Sequence, residues 1–103
     1  PINIERRQKP RRSYPYNQRI APVLHGRLPA RDAFVPTQCN DIGAGGFSFV
    51  SDDPPVSDSY VVALGCPPKL TYLIAQIAHV TRVQHEGKRR FLIGCNYVGR
   101  ASY

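Results

Sequence analysis

From residue 19 onward, apolar and polar positions alternate as they do in strands, whose successive side chains point to opposite faces. Ile20, Val23 and Leu24 mark a first strand over Arg19 to Leu28, interrupted by Pro22, which suits an edge or a bend. Phe34 to Ile42 reads as a second strand, and Gly43 to Gly46 turns the chain into a third, Phe47 to Val50. There Phe47 and Phe49 share one face, Ser48 and Val50 the other. Ser51-Asp52-Asp53-Pro54-Pro55 is a break. Tyr60 to Cys66 is an apolar, β-branched run that Pro67-Pro68 ends. Leu70 to Gln84 is long and rich in Thr, Val, Ile and Tyr, which predicts a strand with a bend or bulge and not a helix. Glu86-Gly87-Lys88 makes a hairpin turn into Arg90 to Val98, where Phe91, Ile93, Cys95 and Tyr97 line one face.

Six such strands with short connections and no helical pattern imply an all-β fold, a small six-stranded antiparallel (split) barrel. Closure is how so short a sheet hides its edges. The length of 103 residues allows one core, and 8 Gly with 10 Pro favour many short elements. Residues 1–18 break the pattern. They carry Pro10 and Pro15, no periodic apolar face and a cluster of cations. They read as a basic N-terminal arm that orders on a ligand or on the domain surface, ahead of a barrel over residues 19–103. A first residue other than Met points to a processed or trimmed terminus, or to an origin within a larger protein.

Charge sharpens that division. The net charge is +7, and residues 1–31 hold eight basic residues against Glu5 alone, whereas residues 32–103 hold six of each sign. The whole excess therefore lies in the first third, as expected of an arm that meets phosphate. Seven of those eight cations are Arg, whose planar fork matches phosphate oxygens or the O6/N7 edge of a guanine with two bonds at once.

Other chemistry is sparse. Cys39, Cys66 and Cys95 have neither paired spacing nor an even count, and read as small buried thiols in a reducing compartment. No apolar run approaches the ~18 residues of a membrane span, and no signal-like start is present, so the chain reads as cytoplasmic. His25, His79 and His85 lack metal spacing. Tyr14, Tyr16 and Tyr72 read as packing residues, and Arg89-Arg90 as a solvated hairpin flank. No nucleophile-base pair, catalytic carboxylate pair or metal cluster emerges, so the sequence does not read as an enzyme, and no cofactor is implied.

Two motifs remain. Arg7-Gln8-Lys9-Pro10-Arg11 is an R-x-x-x-R pair in the arm, and Asp41-Ile42-Gly43-Ala44-Gly45-Gly46 is an acidic residue followed by a glycine cluster. Both, in this order and on a β pattern that ends Gly94-Cys95-Asn96-Tyr97-Val98, resemble the PilZ domain, a family of bacterial receptors for the second messenger cyclic di-GMP. The resemblance implies that Arg7 and Arg11 contact guanine edges and phosphates, with Arg6 and Arg12 as supplements. It implies that Asp41 accepts hydrogen bonds from a guanine, and that Gly46 closes the turn where a Cβ would crowd it. Gly43 stands where the family has a serine that offers its hydroxyl to the ligand. Losing that bond costs about 0.5–1.5 kcal/mol, or about 1.5–3 to a charged acceptor, which is one or two decades of affinity. Only Arg100-Ala101-Ser102-Tyr103 follows the last strand, so the sequence either stops short of the family's C-terminal helix or is a minimal barrel.

The expectation is a non-enzymatic receptor for cyclic di-GMP that signals by ordering its arm. One rival is a degenerate PilZ-like adaptor that binds a protein partner, or a fused domain, without nucleotide. The other is a basic barrel for RNA or single-stranded DNA, against which stand cations concentrated in the arm and strands with no evident aromatic platform.

Overall fold

A computed structural model describes residues 11–13, 17–66 and 68–103. Seven strands carry it: β1 (Arg11–Ser13), β2 (Asn17–Pro22), β3 (Val35–Gly43), β4 (Gly46–Ser51), β5 (Ser59–Cys66), β6 (Lys69–His85) and β7 (Lys88–Ala101). All pairings are antiparallel. Six strands close in the order β2-β5-β6-β7-β4-β3, with β3 returning to β2, and the three-residue β1 joins the free part of the β3 edge. The expected six-stranded barrel is the fold. Among the described residues there is no α-helix, only a 3₁₀ turn at Arg31–Ala33.

Bulges make the closure possible. One falls between Cys39 and Asp41 on β3, and two interrupt the β6–β7 ladder, after Ile74 and after Ile77. Each inserts an unpaired residue and bends the sheet, as the length of β6 led one to expect. At the far end of that hairpin Glu86 (φ 53°) and Gly87 (φ 77°) form the tight turn. Arg90 is tied there to Asp52 at 3.1 Å and to Glu86 at 3.5 Å, so the arginine fastens the hairpin to the loop after β4.

The first strand is shorter than its pattern suggested. β2 ends at Pro22, and Val23 N–H makes a last bond to Ser59 O at 2.9 Å, where β5 begins. The chain then reverses at His25 (φ 54°) and Gly26 (φ 70°), closed by a bridge between Leu24 and Arg27. β7 runs to Ala101, past the expected Val98, because its last residues pair with Tyr72 to Ile74 on β6. β1 and the first residues of β2 fall within the segment read as the arm.

Inside the barrel Ile20, Cys39, Phe47, Phe49, Val62, Ile93 and Cys95 are buried together, with Phe91 and Tyr97 packed against them. Phe47 stacks on Phe49 at 5.7 Å and on Tyr97 at 5.9 Å, and Phe49 meets Tyr60 edge-on at 5.4 Å. Such pairs add about 0.5–1.5 kcal/mol each beyond their buried area. Outside the barrel a second cluster forms from Ala21, Phe34, Val61, Ala63 and Ala101, with Tyr72 and Tyr103. It explains why β5 is apolar at consecutive positions: Tyr60 and Val62 face the barrel interior, and Val61 and Ala63 face this outer cluster.

Candidate ligand-binding face

Asp41, Gly43 and Gly46 meet because β3 and β4 pair and only Ala44 and Gly45 separate them. The turn is thus narrower than the four residues expected, with Gly43 ending one strand and Gly46 opening the next. The β3 bulge decides which way Asp41 points. Cys39 lies in the core, so strict alternation would put Asp41 there too. The extra residue, Asn40, shifts the phase. Ile42 then packs on the core opposite Phe47, and Asp41 pairs with Ser48 on the outer face.

Ser48 is the polar residue within β4, whose other serine, Ser51, ends the strand. It lies between Phe47 and Phe49, both in the core, so it faces outward, yet it is only 3% exposed. Its hydroxyl donates to Asp41 Oδ1 at 2.7 Å and accepts from Asn40 Nδ2 at 3.3 Å. A short hydroxyl-to-carboxylate bond of this kind orients the acceptor. The sequence motif did not single out Ser48 or Asn40. The signal for Ser48 was its outward place in the alternation of β4, one strand from Asp41.

The turn is anchored from the other side by Tyr97, whose N–H donates to Gly45 O at 3.0 Å. Gly46 pairs with Asn96 and Ser48 with Gly94 on β7. On the opposite edge, β1 lies against the same stretch of β3: Arg11 is opposite Gly43, Arg12 opposite Ile42 and Ser13 opposite Asp41. Arg6 and Arg7 lie outside the described residues. Backbone register therefore brings Arg11, Arg12, Asp41, Gly43 and Gly46 to one corner of the barrel.

Cys39 is no nucleophile. Burial pushes its thiol from 9.0 up to about 12, and the nearby Asp41 charge adds to the rise, so it stays protonated at neutral pH. Cys39 and Cys95 are both buried and unbridged, as read from the sequence. No group of His, Cys, Asp and Glu able to hold a metal occurs among the described residues. No described helix is long and apolar enough to cross a membrane. A depression of about 210 Å³ lined by Leu70, Thr71, Tyr72, Arg100, Ala101 and Tyr103 shares no residue with this corner.

No family model and no curated protein matches the sequence. Solved structures do match. The PilZ domain of YcgR from Escherichia coli, determined with c-di-GMP, aligns with a TM-score of 0.59 at 14% identity, over 91% of this chain and 79% of that one. The chain has the fold of a PilZ domain. Two longer proteins match as well. The inhibitor of motility MotI/DgrA of Bacillus subtilis aligns with a TM-score of 0.65 and 18% identity, over 96% of this chain and 46% of that one. The K. pneumoniae MrkH–c-di-GMP complex gives 0.64 and 14%, over 95% and 47%. The PilZ-fold chain spans about half the length of these two. On this PilZ fold, the corner between β1, β3 and β4 unites a fixed carboxylate, a glycine-flanked turn and the end of the basic arm.

Proposed function

We propose that this chain is a non-enzymatic bacterial receptor domain that binds cyclic di-GMP on the outer face around the β3–β4 turn. Arg7 and Arg11 supply guanidinium forks to phosphate and guanine edges, Arg6 and Arg12 supplement them, and Asp41 accepts from the guanine N1–H and N2–H₂ donors. Gly43 and Gly46 keep the turn low enough for a ligand to lie against it. Binding orders the arm across the barrel, and that ordering carries the signal to a fused domain or a protein partner in the cytoplasm. The observation that carries the reading is the β1–β3 register, which sets Arg11 opposite Gly43 and two residues from the position opposite Asp41. The c-di-GMP complexes among the structural neighbours support it.

Gly43 removes one hydroxyl from the expected site, but the Asp41 carboxylate does not depend on it. Ser48 holds that carboxylate from the neighbouring strand. The expected affinity is therefore reduced by about one or two decades, not abolished. Calorimetric titration with cyclic di-GMP, with cyclic di-AMP and GTP as controls, should show binding that Arg7→Ala and Arg11→Ala largely remove. No heat at high micromolar ligand overturns the proposal. A protein partner captured equally by wild type and Arg11→Ala, indifferent to nucleotide, would instead favour an adaptor, the reading that Gly43 recommends. Oligonucleotide binding that falls steeply with salt, without preference for the cyclic dinucleotide, would favour a nucleic-acid barrel.

A further inference from the structure

The corner at Asp41 continues across the barrel wall. Asp41 pairs with Ser48, Ser48 with Gly94, and Gly94 with His79, so these four residues form one row across β3, β4, β7 and β6. Strands lie about 4.8 Å apart, so the row is about 14 Å wide, the scale of a nucleotide. Its face is fixed by neighbours: Ile93 and Cys95 enter the core, so Gly94 between them faces out. The bulge after Ile77 brings His79, not Ala78, opposite Gly94.

Gly94 has no side chain, and the imidazole of His79 occupies the space where one would be. A Cβ on Gly94 would overlap three successive ring atoms, lying 2.5 Å from Nε2, 2.9 Å from Nδ1 and closer still to Cε1. Three adjacent ring atoms at similar distances from one point mean that the ring lies with its face toward the glycine. His79 is nevertheless exposed to solvent. Along the next row, Gly46, Asn96 and Gln76 stand side by side, and both amide residues are exposed. The row thus runs from the Asp41 carboxylate over Ser48 and Gly94 to the imidazole of His79, with two exposed amides along one margin.

We propose that His79 is a ligand-binding residue, the platform on which one guanine of the cyclic dinucleotide stacks while Asp41 and the arginines hold the rest. The assignment rests on the cyclic di-GMP reading of this face. Stacking needs a flat π-surface with an open face, and every base can use it. Gly94 is its partner in the design, because any larger residue displaces the ring.

Titrations with cyclic di-GMP test it, with thermal melts confirming that each variant is folded. His79→Ala should weaken binding about ten-fold, the usual size of a lost base–aromatic stack. His79→Phe, which keeps a ring but no ring nitrogen, should stay within about three-fold of wild type. Gly94→Ala should weaken binding like His79→Ala by moving the ring. Unchanged affinity in His79→Ala overturns the assignment and leaves the receptor reading intact. Equal loss in His79→Phe and His79→Ala overturns stacking in favour of a hydrogen bond or charge. Absence of binding by the wild-type chain overturns the receptor reading and this assignment together.

Discussion

Two stretches of the barrel's outer surface are built from opposite materials. Over Ala21, Val61, Ala63 and Ala101 the surface is apolar and is roofed by Phe34, Tyr72 and Tyr103. The three rings touch one another, with centroids 5.6 Å apart for Phe34–Tyr72, 5.7 Å for Phe34–Tyr103 and 4.5 Å for Tyr72–Tyr103. Over Asp41, Ser48 and Gly94 the surface is polar, low and hydrogen-bonded within itself. A sheet wound into a barrel has one interior, so each outer stretch must either find a cover or be tolerable to water. The first has found its cover in the segment before β3 and the chain's last residue. The second is polar, with its serine and carboxylate hydrogen-bonded to each other. One wall stabilises the fold, and the other carries the proposed ligand site.

Truncating the roof should break this separation most visibly in stability. Phe34 is 5% exposed and meets two other rings, so Phe34→Ala should cost about 3–5 kcal/mol, as buried Phe truncations do. Urea unfolding should show that loss, while cyclic di-GMP affinity of the folded fraction stays within about two-fold. A loss of affinity at unchanged stability would mean that the two walls are coupled.

Ser48→Ala should do the reverse. It removes the donor that fixes Asp41, and a hydrogen bond to a charged acceptor contributes about 1.5–3 kcal/mol. Asp41 is half-buried, so water replaces part of the bond and the low end applies to stability. Affinity for cyclic di-GMP should fall about ten-fold, because the carboxylate no longer arrives oriented. Titration and unfolding on the same preparation measure both numbers. An unchanged affinity would show that the ligand itself suffices to orient Asp41.

How much of each wall could be read from sequence follows from how local its cause is. The interior was legible because Phe91, Ile93, Cys95 and Tyr97 alternate without interruption, and they do share the core. The bend in β6 was legible from its length and composition. The outward turn of Asp41 was not, because it depends on a one-residue bulge at Asn40 that no residue type announces. Ser48 was noted as lying opposite in phase to Phe47 and Phe49, but its bond to Asp41 is a cross-strand event set by register. Nor was the roof visible: Phe34 and Tyr103 are 69 positions apart in sequence, and Tyr103 sits in what read as a bare tail. Leu24, which read as strand, opens instead a turn made by His25 and Gly26 in left-handed conformations, and Leu28 lies just beyond it. An L-residue such as His25 adopts that conformation only when the surrounding chain imposes it.

The gentlest probe of the roof is its tether. Tyr103 Oη donates to Pro29 O at 2.7 Å, linking the end of the chain to the loop ahead of the 3₁₀ turn. Tyr103→Phe keeps the ring contacts and removes only that bond, so unfolding should register a loss of about 0.5–1.5 kcal/mol. Burial, with Tyr72 beside it, raises the Tyr103 phenol above its usual 10.0. A raised acid in the folded state stays protonated while the unfolded phenol ionises, so its share of stability is whole below pH 10 and drains away as pH climbs above it. The variant should therefore lose less stability than wild type between neutral pH and the region above pH 10, with cyclic di-GMP affinity unmoved at neutral pH. If the two alkaline profiles run parallel, the Tyr103 hydroxyl is solvated in solution, and the roof is held by its rings alone.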